Sequence, residues 1–254
     1  MSFSQQDVNQ VASTIASSAY LVVFTGAGIS TESGLSDYRG PDGVWTRRDK
    51  GLPPKPSAKP ISEIQPNPGH KAIVELYQLA LLKYLISQNV DNLHRKSGIP
   101  QEILAELHGN HALLKCINCD HRFTKEEVGW DNHLHGTGYR TDAPQSSQPK
   151  CPHCQARLIS SVVNFGDPMP EREMTEATLH AERCDVMLAV GSTLSVYPAA
   201  ALTKQAKRAG AQLIIINMGP THQDQLADIR IAAKSGEFLP QVIEEVRALV
   251  SETE

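Results

Sequence analysis

The chain has 254 residues, 40% of them hydrophobic and 20% charged, which suits one large globular domain or a domain with a small insert. A formal net charge of −4 argues against a protein held to nucleic acid by its overall field, and no specific nucleic-acid partner is expected. There is no apolar run of roughly 18 residues and no basic start followed by an apolar stretch, so neither a membrane span nor a signal peptide is expected. A reducing, cytoplasmic setting follows, in which the five cysteines are thiols or metal ligands.

In chain order, Gln5 to Ser17 reads as a helix, with Val8, Val11, Ile15 and Ala16 on one stripe. Tyr20 to Thr25 is a continuous apolar run, as in a strand buried on both faces of a parallel sheet. Similar runs recur at 82–87, 158–163, 186–190 and 212–217. Helical patterns separate them at 71–80, 174–183 and 198–209, and a last helix is expected over Gly236 to Ser251 with Pro240 in its first turn. The alternation predicts an α/β fold, a doubly wound Rossmann-like parallel sheet. Residues 1–112 and 156–254 would form it, with a small zinc-binding insert at 113–155 and a flexible loop insert at 46–70. Residues 51–68 hold six prolines and little periodicity.

Directly after the first strand comes Gly26-Ala27-Gly28-Ile29-Ser30-Thr31. Such a turn lets backbone come close to a pyrophosphate, but it also occurs as a plain strand-to-helix turn without a ligand. Thr31 stands where the dinucleotide fingerprint of a dehydrogenase has its third glycine. Tyr38, Arg39 and Trp45 follow closely and suggest a lid, which does not suit hydride transfer. Gln88, Asn89 and Asp91, taken alone, read better as caps of a helix starting near Asn92 than as a ligand pocket. Of ten histidines, His70, His133 and His135 read as surface or loop residues, and Cys184 as a small, inert core residue.

Cys116-x-x-Cys119 and Cys151-x-x-Cys154 are two knuckles separated by 31 residues of polar sequence. Four thiolates suit one structural, tetrahedral Zn²⁺. A redox pair, or a mixed site using His121 or His153, is the alternative. The polar surroundings, away from a βαβ unit, favour zinc.

Six segments in fixed order resemble the sirtuin family over nearly the whole chain. They are GAGISTESGLSDYRG at 26–40, SQNVDNLH at 87–94, LHGN at 107–110, the paired Cys-x-x-Cys, VVNFGD at 162–167 and GSTLSVYPAA at 191–200. GPDGVW at 40–45 and NMGPTHQDQLADIRI at 217–231 look closest to the class IV branch, whose long tails are absent here, as in a compact, prokaryotic relative. The resemblance implies an NAD-dependent protein-lysine deacylase. Such an enzyme releases nicotinamide from NAD and passes the acyl group of an acyl-lysine to ADP-ribose. Its partners would be acyl-lysine proteins or peptides.

By resemblance, Asn89 and Asp91 hold the carboxamide of nicotinamide, with Ile29 packing nearby, and His108 is the general base for a ribose hydroxyl. Arg39 joins this catalytic set. Gly26, Ala27, Gly28, Thr31, Tyr38, Trp45, Gln88, Gly191, Ser192, Thr193, Asn217 and Ser235 complete the NAD contacts. Tyr38 stands where the family usually has Phe, and Gly219 where it often has Glu. Val163, Asn164, Phe165 and Gly166 resemble the segment that pairs with the substrate backbone. The loop-rich region after the glycine motif lacks the Tyr-x-x-Arg pair of succinyl-removing relatives: Tyr77 is followed three residues on by Ala80. A neutral acyl tunnel is therefore expected, favouring acetyl and longer fatty acyl groups over succinyl. Two other readings stay open: an NAD-dependent protein mono-ADP-ribosyltransferase, and a non-catalytic NAD-sensing or zinc interaction module.

Overall fold

The structure is a computed structural model that describes residues 3–56 and 59–251. In chain order the elements are α1 (Gln5–Ala16), β1 (Leu21–Thr25), α2 (Val44–Asp49), α3 (Pro68–Gln78), β2 (Leu82–Ser87), α4 (Leu93–Ser97), β3 (Leu104–Glu106), β4 (Leu113–Cys116), β5 (Arg122–Thr124), α5 (Asn132–His135), β6 (Leu158–Ser160), α6 (Glu171–Arg183), β7 (Val186–Val190), α7 (Ala201–Arg208), β8 (Gln212–Ile216), β9 (Ile229–Ile231) and α8 (Ser235–Ser251).

Six strands form one parallel sheet in the order β3-β2-β1-β7-β8-β9. The chain winds outward from β1 in one direction and from β7 in the other. The order therefore reverses between β1 and β7, where parallel sheets open a crevice at their C-terminal ends. Side chains of β1 alternate between two cores, as a strand period of two requires. Leu21 and Val23 meet Val8, Ile15, Leu76 and Phe238 of α1, α3 and α8. Val22 and Phe24 meet Ala177, Ala181, Leu202 and Ala206 of α6 and α7. Both faces are covered, which is why the strand reads as an unbroken apolar run.

The predicted parallel strand at 158–163 is corrected. Only Leu158–Ser160 is a strand, and it pairs antiparallel with β4 in a separate three-stranded sheet, order β5-β4-β6. Ser161 onward leaves the ladder toward the site described below. The two edge strands β3 and β9 are three residues long, too short to show a pattern in sequence. Pro240 lies in the second turn of α8, not the first. A proline there costs about 3 kcal/mol, whereas Phe238, Leu239, Val242, Ile243 and Val246 are all buried and each contributes roughly 1.5–3 kcal/mol. Packing wins. The proline-rich stretch is bounded by helices at both ends, and Asn67 caps α3 through the backbone N–H of Gly69 at 2.9 Å, with Pro68 in the first turn.

Two histidines expected at the surface are buried. His70 is 0% exposed, and its ring lies 5.1 Å from that of His94. His135 packs edge-on to Trp130 at 5.3 Å. His133 is exposed, as expected, and Cys184 is buried. Burial pushes His70 down to about 3 and His94 to about 4. Both fold neutral, so below about pH 6.5 the unfolded chain binds protons that the folded chain refuses. Stability from these two groups is full above pH 6.5 and falls as pH drops toward 4, by about 1.4 kcal/mol per unit for each ring. Melting temperature measured from pH 7 to 5 should fall more steeply for the wild type than for His94→Phe; equal slopes would contradict the assignment.

Candidate active site

Two turns meet at the switch point. Gly26 follows β1 and Gly191 follows β7. The Gly26 N–H donates to Val190 O at 3.0 Å and the Gly28 N–H to Gly191 O at 2.7 Å. A Cβ on Gly28 would lie 2.7 Å from Gly191 O, and one on Gly191 would lie 2.2 Å from the backbone nitrogen of Ile29. Gly191 also has φ +64. The glycines are required by this backbone contact, because their own N–H groups are already used.

Beyond the contact opens a cavity of about 1270 Å³. Gly26, Ala27, Gly28, Thr31, Tyr38, Arg39, Trp45, Gln88, Asn89, Asp91, His108, Val163, Asn164, Phe165, Gly166, Gly191, Ser192, Thr193, Asn217 and Ser235 all line it. Ile29 does not. Its side chain is fully buried in the core beneath, while its carbonyl accepts from Asn67 Nδ2 at 2.7 Å. The first turn runs on as a 3-10 helix, Ala27–Ser33.

At one end of the cavity stands a buried polar cluster. Ser30 Oγ donates to Asp91 Oδ2 at 2.6 Å and accepts from Asn89 Nδ2 at 3.2 Å. Asp91 Oδ1 accepts from the Leu93 N–H, the first of α4, at 2.9 Å. Helix capping and cavity lining are thus both true of Asp91. The cluster leaves an amide donor and an amide acceptor on Asn89, the complement of a carboxamide. Gln88 Nε2 donates to Ser192 Oγ at 2.9 Å, tying the β2 turn to the β7 turn.

His108 follows β3. Its Nδ1 lies 2.8 Å from the Gln88 carbonyl. A carbonyl only accepts, so the proton sits on Nδ1 and Nε2 is left as an acceptor. Burial pushes His108 below the ordinary imidazole range, partly opposed by the Gln88 bond. The ring is neutral at pH 7 and competent to take a proton.

Tyr38 and Trp45 pack at 4.9 Å, and the Arg39 guanidinium lies 4.8 Å over Trp45 while bonding Asp49 at 2.9 Å. Burial raises the Tyr38 phenol above its ordinary value, with Asp91 adding to the effect. Val163 N–H donates to His108 O at 2.9 Å, which fixes the 163–166 segment beside the histidine. Phe165 is 82% exposed and touches Trp45 at 5.6 Å. Thr193 pairs with Ser195 at 2.9 Å. Asn217 Nδ2 donates to Gly219 O at 2.9 Å, and Glu32 accepts from Gly236 N–H at 2.7 Å, holding Ser235 at the cavity rim.

Sequence reasoning missed Ser30, Glu32 and Tyr139. Ser30 lies inside the quoted glycine motif but offers no spacing signal of its own. Tyr139 reaches the cavity from the polar insert, a contact that no local pattern could reveal.

The four cysteines of the two knuckles come together. Their sulfurs all lie within 4.8 Å, with Cys116 Sγ 3.3 Å from Cys154 Sγ and Cys119 Sγ 3.6 Å from Cys151 Sγ. Tetrahedral Zn²⁺ with bonds of about 2.3 Å would place sulfurs about 3.8 Å apart. The donor set fits zinc, with no open position for water. Around it lies a small local apolar core of Leu114, Trp130 and Leu158, with Phe123, Val128 and Ala156 partly buried against it. Metal-free protein should therefore lose the insert's structure first. Metal analysis should give one zinc per chain, and a Cys116→Ser/Cys151→Ser variant should contain none and melt earlier; normal folding without metal would contradict this.

The fold and site define an α/β protein with a nucleotide-sized crevice at its switch point and a Cys₄ module beside it. Residues 55–198 match the model of the Sir2 family. NAD-dependent protein deacylase 2 of Archaeoglobus fulgidus is 38% identical, over 98% of this chain and 99% of its own length. NAD-dependent protein deacetylase 1 of Bradyrhizobium diazoefficiens is 37% identical, over 91% and 93%. Among solved structures, Sir2Af2 bound to a myristoylated histone peptide aligns with TM-score 0.69 at 36% identity, covering 98% of this chain and all of that one. A Sir2 structure with a p53 peptide and NAD⁺ aligns at 0.73 and 29%, covering 94% and 98%. The chain belongs to the Sir2 family.

Proposed function

We propose that this protein is an NAD-dependent protein-lysine deacylase that releases nicotinamide and transfers the acyl group to ADP-ribose. One observation carries this reading: the acceptor Nε2 of His108 is fixed on the same cavity that holds the Asn89–Ser30–Asp91 cluster. A plain NAD-binding module needs no such base. In this reading Asn89 and Asp91 orient the carboxamide, His108 takes the proton of a ribose hydroxyl, and Tyr38 with Arg39 and Trp45 covers the reacting face. Gly26, Ala27, Gly28, Thr31, Gln88, Gly191, Ser192, Thr193, Asn217 and Ser235 surround the rest of NAD. Ile29 supports the turn from beneath. Val163, Asn164, Phe165 and Gly166 pair with the peptide backbone. Cys116, Cys119, Cys151 and Cys154 hold a structural zinc that takes no part in the chemistry.

GPDGVW at 40–45 and the 217–231 segment support placement in the class IV branch. Five cysteines without a disulfide support a reducing, cytoplasmic setting. Among the described residues, no helix is long and apolar enough to cross a membrane. The acyl site is read as neutral. Arg47 bonds Pro53 O at 2.8 Å and Arg48 pairs with Asp49 at 3.1 Å, and neither lines the cavity. Arg39, the one arginine among the described lining residues, is held by Asp49.

Incubation with NAD and an acetyl-lysine peptide should yield O-acetyl-ADP-ribose by mass spectrometry. His108→Ala should lose about 10²–10⁴-fold, and the acid limb of kcat/KM should fall below about pH 6.5, since the base must be neutral. In matched peptides, acetyl and myristoyl should exceed succinyl. ADP-ribosylated protein as the product, or an unimpaired His108→Ala, would refute the reading; a preference for succinyl would refute only the neutral tunnel.

A further inference from the structure

His108 sits on a short connection, residues 107–112, between the last residue of β3 and the first of β4. β3 ends at Glu106, and Gly109 has φ +76 with its backbone pressed against Ser161. At the start of this connection two buried polar groups face each other, Glu106 at the end of β3 and Asn110 in the connection. Asn110 Nδ2 donates to Glu106 Oε1 at 2.6 Å and to Asn92 Oδ1 at 2.8 Å. Asn110 Oδ1 accepts from the Ala112 N–H at 2.9 Å. Glu106 Oε2 accepts from Arg95 Nε at 3.1 Å. Asn110 is 0% exposed and Glu106 is 5% exposed.

The partners matter more than the number of bonds. Asn92 follows Asp91 directly, and Arg95 lies in α4, whose first N–H holds Asp91. The Asn110 amide thus joins the connection that carries the base to the segment that carries the carboxamide groups. The backbone ties the same two segments again, since the His111 N–H donates to Val90 O at 2.9 Å. Asparagine supplies two donors and an acceptor, and all three functions are used here. A buried ionic pair is a weak source of stability compared with apolar packing of similar volume. A geometric role explains its presence better.

We propose that Asn110 is a positioning residue for His108: through Glu106 and Asn92 it sets the connection so that Nε2 addresses the same point of the cavity as Asn89 and Asp91. The proposal rests on the deacylase reading above. It separates two steps of that reaction. Nicotinamide release precedes the need for a base, so a displaced His108 slows acyl transfer and spares nicotinamide exchange into NAD. A merely structural defect would lower both.

The test compares zinc-loaded wild type, Asn110→Asp, Glu106→Gln, the double variant and His108→Ala. Asn110→Asp sets two carboxylates against each other. Glu106→Gln sets an amide against an amide or turns its donor toward Arg95. The double variant restores one donor facing one acceptor, with polarity reversed. Each single change should cost deacylation about 10–100-fold, the scale of a misplaced catalytic group, while nicotinamide exchange persists. The double variant should regain most of the loss, with melting temperature and zinc content reported for all. Full deacylation by Asn110→Asp beside an inactive His108→Ala overturns this proposal alone. Loss of both activities together with melting temperature, unrelieved in the double variant, shows a structural contact and also overturns it. A wild type inactive in both assays removes the deacylase reading, and the proposal with it.

Discussion

The contact on which the site depends is backbone against backbone. Gly28 and Gly191 approach until N–H and carbonyl stand 2.7 Å apart, with no room for a methyl group on either. Everything that meets in the cavity is hung from this point. The β1 turn brings Ser30, the β7 turn brings Ser192, and Gln88, directly after β2, reaches across to Ser192 at 2.9 Å. The Gln88 carbonyl then fixes His108. A parallel sheet places all these turns at one edge, because every strand ends on the same side.

The insert depends on a different kind of interaction. Its strands β4 and β5 are short and are completed by β6, which lies just past residue 155, and its apolar cluster is small. The Cys₄ site supplies the cross-link that apolar packing does not. It is also bound to the main body. Arg122 of β5 pairs with Glu173 of α6, both largely shielded from solvent. Tyr139 extends from the insert into the cavity wall, with its carbonyl and that of Asp142 held by Arg157. The module is therefore a part of the site's wall as well as a separately stabilised unit.

Buried strands and cysteine knuckles were legible in the sequence because each leaves a local signal. β1, β2, β7 and β8 are largely apolar runs, with Lys83 in β2 and Gln212 at the start of β8 among the exceptions, and two Cys-x-x-Cys pairs have few meanings. Many of the residues that line the cavity could be named in advance through the resemblance of ordered motifs. His70 was misread because a polar side chain in a Pro-rich stretch looks exposed, whereas its burial comes from α3 packing toward His94. The 158–163 run was misplaced because apolar composition does not say which sheet a strand joins. The place of Tyr139 in the cavity wall and the Asn92–Asn110 contact arise only when distant segments meet. The glycine motif was legible as a motif, but its reason was not: the glycine N–H groups bond the neighbouring turn, and the missing side chains are what the fold needs.

That last point can be measured directly. ADP-ribose binding by calorimetry, on zinc-loaded protein, reads the crevice without requiring any chemistry. Gly28→Ala inserts a methyl group into the turn contact, while Gly34→Ala, where nothing lies within 4 Å of the added carbon, controls for backbone strain at φ +94. The wild type and Gly34→Ala should bind, and Gly28→Ala should lose affinity at least about tenfold, or about 1.4 kcal/mol. Binding by Gly28→Ala at wild-type affinity would contradict the claim that the two glycine turns build the site.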